Sequence, residues 1–313
     1  MLHMRIVAPP DRAREVHALL CATRSAIDVV HIPGVSQRPD GDLVMCDVAR
    51  EDASVIVADL KELAIDRIGS ISLSAVDTIS ELAAEAERYA PGTPADAVVW
   101  EELEQRTSES VELSGVFLLY MALAAIIAGV GIILDSEVLI VGAMVVGPEF
   151  GPIAGFCVAA VQRKADLARR SALALAVGFP LAILSAFVAT AAFDGADVTP
   201  DDFSTAHHTL AGIISSPDAF AFVVAAAAGV AGMLSLSTAK SGALIGVLIS
   251  VTTIPAASNI GIAAYYGDWH TFRGSVGQLA VNLAAILLAG TLTLAIQRML
   301  YERRRRRHVG RRE

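Results

Sequence analysis

Charge and cysteine are both scarce in this chain. Of 313 residues only 18% are charged and 54% are hydrophobic. Soluble domains carry about a quarter charged residues, so the composition excludes an ordinary soluble protein and an intrinsically disordered one. The three cysteines, Cys21, Cys46 and Cys157, are odd in number and far apart, which excludes a disulfide scaffold. Cys157 lies inside an apolar run and reads as a small core residue. There is no phosphate-binding loop and no nucleophile–base pairing, so neither an enzymatic activity nor a cofactor is expected. His17 and His31 read as isolated, and the His207-His208 pair near Asp201, Asp202 and Asp218 matches no metal-ligand spacing. A net charge of −9, with no basic fold around the arginine tail, argues against a nucleic-acid partner.

What is present is unevenly distributed. Residues 1–80 are mixed in character, with Leu2, Met4, Ile6 and Ala8 alternating as in a half-buried strand. A helical face follows (Ala13, Val16, Leu19, Leu20), then two β-rich runs, Ile27 to Ile32 and Leu43 to Val48, separated by a Pro-Gly and Pro-Asp-Gly turn region from Pro33 to Asp42. A helix from Glu51 to Leu63 and a strand from Ile71 to Val76 complete a β-α-β-β-α-β order, the ferredoxin-like α+β arrangement. Without a basic, then long apolar N-terminal leader, this domain is expected in the cytoplasm. Residues 81–113 read as a helical linker whose second helix is kept wet by Glu101, Glu102, Glu104, Glu109 and Glu112, a stalk or oligomer contact.

Residues 114–297 predict an α-helical polytopic membrane domain. A span needs about 20 apolar residues, and the charged punctuation divides this zone into six: Ser114 to Leu134, Glu137 to Gln162, Ser171 to Phe193, Ala219 to Ser237, Gly242 to Tyr266 and Val276 to Gln297. Lys and Arg mark cytoplasmic loops. They fall after the second span (Arg163, Lys164, Arg169, Arg170), between the fourth and fifth (Lys240), and in the basic tail, residues 298–313. The loop from Asp194 to Asp218 has none. Both termini are therefore expected in the cytoplasm and the spans in the inner (plasma) membrane; Arg273, in an expected outer loop, runs against the rule.

The two halves share a layout: a span, a short connection, a long broken span, a polar loop and a closing span. A shift of 104 places Gly142 on Gly246 and Arg169 on Arg273. Three crossings per half imply a 3+3 inverted repeat with broken second and fifth helices, an arrangement typical of transporters. The first break carries Gly147, Pro148, Gly151 and Pro152, and the second carries Thr252, Thr253, Pro255, Ser258 and Asn259. Proline removes an N–H and clashes with the preceding turn, and backbone groups freed inside a bilayer must face protein or water. Glu149 sits within the first break, where an ionisable group costs a few kcal/mol and marks a candidate ion or substrate site; alternatively it satisfies amides at the next half-helix's N-terminus. Asn282 in the last span is a further polar candidate or a helix bridge.

Several of these segments resemble a known family. Gly142-Ala143-Met144, Gly147-Pro148, Gly151-Pro152-Ile153, Arg169-Arg170-Ser171, Ala243-Leu244-Ile245-Gly246 and the Pro255 break are similar to the prokaryotic membrane family called domain of unknown function 389. The likeness runs from about Ser114 to Gln297, and departs where relatives carry apolar residues in place of Glu149-Phe150 and a paired proline in place of Pro255. It implies a membrane location and no particular activity. The expected role is a transporter or channel for an unknown small ion or solute, embedded in lipid as a homo-oligomer with a cytoplasmic regulatory domain. The alternative is a membrane-anchored ligand sensor or oligomeric scaffold without transport.

Overall fold

The computed structural model describes residues 1–76, 80–90, 97–200, 209–238 and 253–309. These fold as two units, one built on Met1–Leu103 and the other on Glu104–Leu236 together with the helices that begin at Thr253 and Trp269.

The first unit contains β1 (Leu2–Ala8), α1 (Pro10–Ala22), β2 (Ala26–Gln37), β3 (Asp40–Val48), α2 (Arg50–Glu62), the single turn α3 (Ile65–Ile68) and β4 (Ser70–Ala75). The strands form an antiparallel sheet in the order β2-β3-β1-β4, with Met4 opposite Cys46 on one side and Leu73 on the other. Alternation along β1 buries Leu2, Met4 and Ile6 against Val16 and Leu20 of α1 and Ile56 and Leu60 of α2. Side chains of this size contribute about 1.5–3 kcal/mol each when fully buried. The expected Pro33–Asp42 turn region is corrected: β2 runs on to Gln37 and β3 starts at Asp40. Register shifts between Ile27 and Val30 and between Ile32 and Ser36, the latter with Gly34 at φ +63°, absorb the Pro-Gly pair without ending the strand.

Two helices follow, α4 (Glu81–Tyr89), capped by the Ser80 hydroxyl accepting from the Ala83 N–H at 3.0 Å, and α5 (Trp100–Ser110). The acidic face of α5 is not simply wet. Glu101 accepts from Ser54 (2.8 Å) and Lys61 (3.0 Å), Glu102 pairs with Arg50 at 2.7 Å, and Val99 joins the core of the first unit.

The second unit holds α6 (Gly115–Ile133), α7 (Glu137–Val146), α8 (Phe150–Gln162), α9 (Ala165–Gly195), α10 (Thr209–Ile214), α11 (Ala219–Ser237), α12 (Thr253–Tyr266) and α13 (Trp269–Val309). Among the described residues four helices, α6, α9, α11 and α13, are long and apolar enough to cross a membrane; α7 and α8 make a fifth span if their bent pair is counted as one. The expected fifth span is represented by α12, whose fourteen residues are too few to cross alone; residues 242–252 of that expectation, with Ala243 to Gly246, lie outside the described residues.

Helix α12 is buried on every side from Thr253 to Ala263, as expected of a central helix. Small residues bring its neighbours close. A Cβ on Gly261 would overlap the Ile183 carbonyl of α9, and one on Gly131 of α6 would meet Ile140 of α7 at 2.9 Å, so these glycines serve packing. The outer surface is apolar, with Leu119, Leu184, Phe220, Val223, Leu288 and Leu292 exposed, as a lipid-facing surface requires.

Two expected loops are shorter than their composition suggests. Only Arg163-Lys164 separates α8 from α9, so Arg169 and Arg170 lie on the opening turns of α9 and Arg170 pairs with Asp166 at 3.0 Å. Only Gly267-Asp268 separates α12 from α13, and Asp268 accepts from the Thr271 N–H at 3.1 Å. Each link opens with a left-handed residue, Arg163 at φ +58° and Gly267 at φ +68°.

Candidate functional site

The break between α7 and α8 follows from its sequence. Pro148 drives the residue before it out of the helical region, and Gly147 is accordingly extended (φ −62°, ψ 127°). Helix α8 starts again at Phe150, bent 51° from α7, with Pro152 as its third residue, where the missing N–H breaks no helical bond. Pro255 is likewise the third residue of α12.

These two helix starts meet. Glu149 is 3% exposed, and Thr253 donates its hydroxyl proton to Glu149 Oε1 at 2.8 Å. Glu149 Oε2 is buried with no hydrogen-bond partner among the described residues. A side chain on Gly147 would collide with that carboxylate and come within 2.8 Å of Ile254, so glycine leaves room for the acid. On Gly151 a Cβ would stand 2.8 Å from the Ser110 carbonyl.

Gly147, Pro148, Phe150 and Gly151 also form part of the wall of a cavity of about 480 Å³, completed by residues such as Arg106, Ser114, Tyr120 and Leu236. Glu149 is not part of that wall. The arrangement therefore places a buried carboxyl group, one oxygen of which has no partner among the described residues, where the starts of α8 and α12 meet, beside a cavity that reaches the same break.

The structure thus gathers Gly147, Pro148, Glu149, Gly151, Pro152, Thr253 and Pro255 around the break; Thr252 lies outside the described residues. Ser258 and Asn259 point elsewhere. Ser258 donates to the Ala125 carbonyl of α6 at 2.9 Å, and Asn259 donates to the Ala211 carbonyl and to Ser275 Oγ, each at 3.0 Å. Asn282 accepts from Gln278 on its own helix at 3.3 Å. Ser275 and Gln278 escaped the sequence reading. Their signal was the polar spacing Thr271, Ser275, Gln278, Asn282, which returns to one helix face within an apolar run.

In the first unit His17 and His31 prove not to be isolated. Their rings lie 5.6 Å apart, Cys21 Sγ is 3.6 Å from His17 Nε2, and His31 Nε2 bonds Asp42 at 2.8 Å. The Gly34 N–H and then His31 hold the Asp42 carboxyl below its usual range, while burial pushes the Cys46 thiol up to about 12, leaving it protonated. No three His, Cys, Asp or Glu side chains among the described residues are placed to hold a metal ion. His207, His208, Asp201 and Asp202 lie outside the described residues; Asp218 accepts from the Ala221 N–H at 2.7 Å, at the start of α11.

The fold thus joins a small antiparallel α+β unit to a set of helices of which, among the described residues, four or five are long and apolar enough to cross a membrane. Residues 144–288, which include α8, α9, α11, α12 and the break itself, match a model of the family described as domain of unknown function (DUF389), supporting the resemblance drawn from the sequence. No curated protein and no solved structure matches the chain.

Proposed function

We propose that the protein is an inner-membrane transporter or channel for a small ion or solute, without enzymatic activity, and that its working site is the junction of α8 and α12. The observation that carries this reading is the buried Glu149–Thr253 contact, with one carboxylate oxygen left over. A carboxylate inside a membrane span costs at least a few kcal/mol, and such groups mark ion or substrate pathways. The ten residues of α7 reach about 15 Å at 1.5 Å per residue. That is about half of a hydrocarbon core some 30 Å thick, so the break falls near mid-membrane.

An inverted repeat of two three-span halves, six spans in all, accounts for this meeting. Glu149 and Thr253 are 104 residues apart. The same offset relates the two left-handed links, Arg163 and Gly267, and the starts of the helices after them, Ala165 and Trp269. Such repeats bring discontinuous helices together around a central site. The basic residues at 163–170 and in the tail support a cytoplasmic side for both termini, with the first unit as regulator or assembly surface of a homo-oligomer. Purified protein in liposomes tests the reading with H⁺, Na⁺, K⁺ and Cl⁻ gradients. Flux above empty vesicles that falls at least tenfold in Glu149→Gln is expected; no flux for any of them, or flux indifferent to that substitution, overturns it.

A further inference from the structure

A second group of buried polar atoms lies apart from Glu149. Thr271, Ser275, Gln278 and Asn282 recur at intervals of four, three and four on α13, and all are buried. The row begins beside Asp268, whose carboxylate accepts from the Thr271 hydroxyl at 2.6 Å. At 1.5 Å per residue it runs inward for about 16 Å. Asn259 of α12 faces it through the 3.0 Å bond to Ser275 Oγ.

Hydrogen bonding in this row is unbalanced. The two protons of the Asn259 amide go to the Ala211 carbonyl and to Ser275, and because a carbonyl can only accept, the first bond fixes which way the amide points. Its Oδ1 then has no partner among the described residues, although the residue is 0% exposed. Gln278, 5% exposed, donates to Asn282, and its Oε1 is likewise without a partner. Among the described residues two acceptors are therefore left over, one on each of two helices that the Asn259–Ser275 bond joins. Buried acceptors without a donor are costly, about 1–3 kcal/mol each.

We propose that Asn259 Oδ1, Ser275 Oγ and Gln278 Oε1 form a binding site for an alkali-metal cation. Hard cations take oxygen ligands in place of their water shell. Neutral amide and hydroxyl oxygens suit a single charge, whereas a divalent ion would call for carboxylates among the ligands. Asp268 places a negative charge at the head of the row. The site deepens the transport reading by naming the class of ion that accompanies Glu149, and it rests on that reading for its role.

The test is the thermal midpoint of the full-length protein in detergent, measured in lithium, sodium, potassium and rubidium chloride and in N-methyl-D-glucamine chloride at equal ionic strength. A bound ion raises the midpoint in proportion to its occupancy, so a saturable rise of a few degrees that discriminates among the alkali ions is expected. Gln278→Met, which keeps the volume and removes the oxygen, should abolish it, as should Asn259→Leu. Should Asn259→Leu fail to fold, Gln278→Met and the wild-type ion series decide. Equal midpoints across the series mean that water, which can donate to both acceptors, fills the gap, and overturn the site. Discrimination that persists in Gln278→Met places the ion elsewhere and overturns it too. Ion-specific stabilisation without liposome flux removes the transport reading while leaving the site; flux without it does the reverse.

Discussion

Glu149 and Thr253 are single residues whose environment sets their worth. Thr253→Val removes the hydroxyl that donates to the buried Glu149 side chain, and a hydrogen bond of this kind contributes about 0.5–3 kcal/mol. A lower thermal midpoint in detergent is expected, restored by Thr253→Ser. Gly147→Ala drives a methyl into the Glu149 carboxylate and should reduce flux as strongly as Glu149→Gln. Asp42 gives a sign for pH. Its folded carboxyl is held below the usual value of 3.8, so its contribution to stability is complete above that value and is lost as pH falls through the lower, folded one. Hydrogen exchange of the β2–β3 hairpin, corrected for intrinsic rate, should therefore be level around neutrality and accelerate only in strong acid; Asp42→Asn should remove that acid dependence. At this scale Glu149 was legible, because an acid flanked by proline and glycine inside an apolar run is conspicuous. Gln278 is legible only as one member of the polar row Thr271, Ser275, Gln278, Asn282, and its weight depends on Asn259, which a separate helix brings to that row.

Helices were read best where composition alone decides them. The expected span Ala219 to Ser237 coincides with α11, and the break falls where Pro148 and Gly147 forbid a helix. Strand β2 was cut short because Pro33-Gly34 signals a turn locally, whereas pairing with β3 carries the strand through it. Likewise the glutamates opening α5 looked solvated until α2 supplied Ser54, Lys61 and Arg50. Close approach of α12 and α9 leads to a further expectation. Gly261→Ala places a methyl against the Ile183 carbonyl, and overpacking of this kind costs about 1–3 kcal/mol. The detergent melting point of the purified variant measures that loss.

For the whole molecule, the layout of an α+β unit followed by a membrane unit was legible from composition, while the packing of α12 at the centre of the second unit depends on contacts between distant segments. Sidedness is open to direct measurement. In a background lacking the exposed Cys21, single cysteines at Asp218 and at Glu302 should react with an impermeant maleimide from opposite faces of the membrane, the first from outside and the second from the cytoplasm. Helix α13 adds a mechanical consequence. Its 41 residues form one unbroken rod of about 60 Å, twice the hydrocarbon thickness. Long helices meet a thinner bilayer by leaning over, and a rigid rod leans along its whole length. On the proposed reading, lipid chain length would then shift Ser275 and Gln278 against Asn259, coupling the thickness of the host membrane to the proposed ion site.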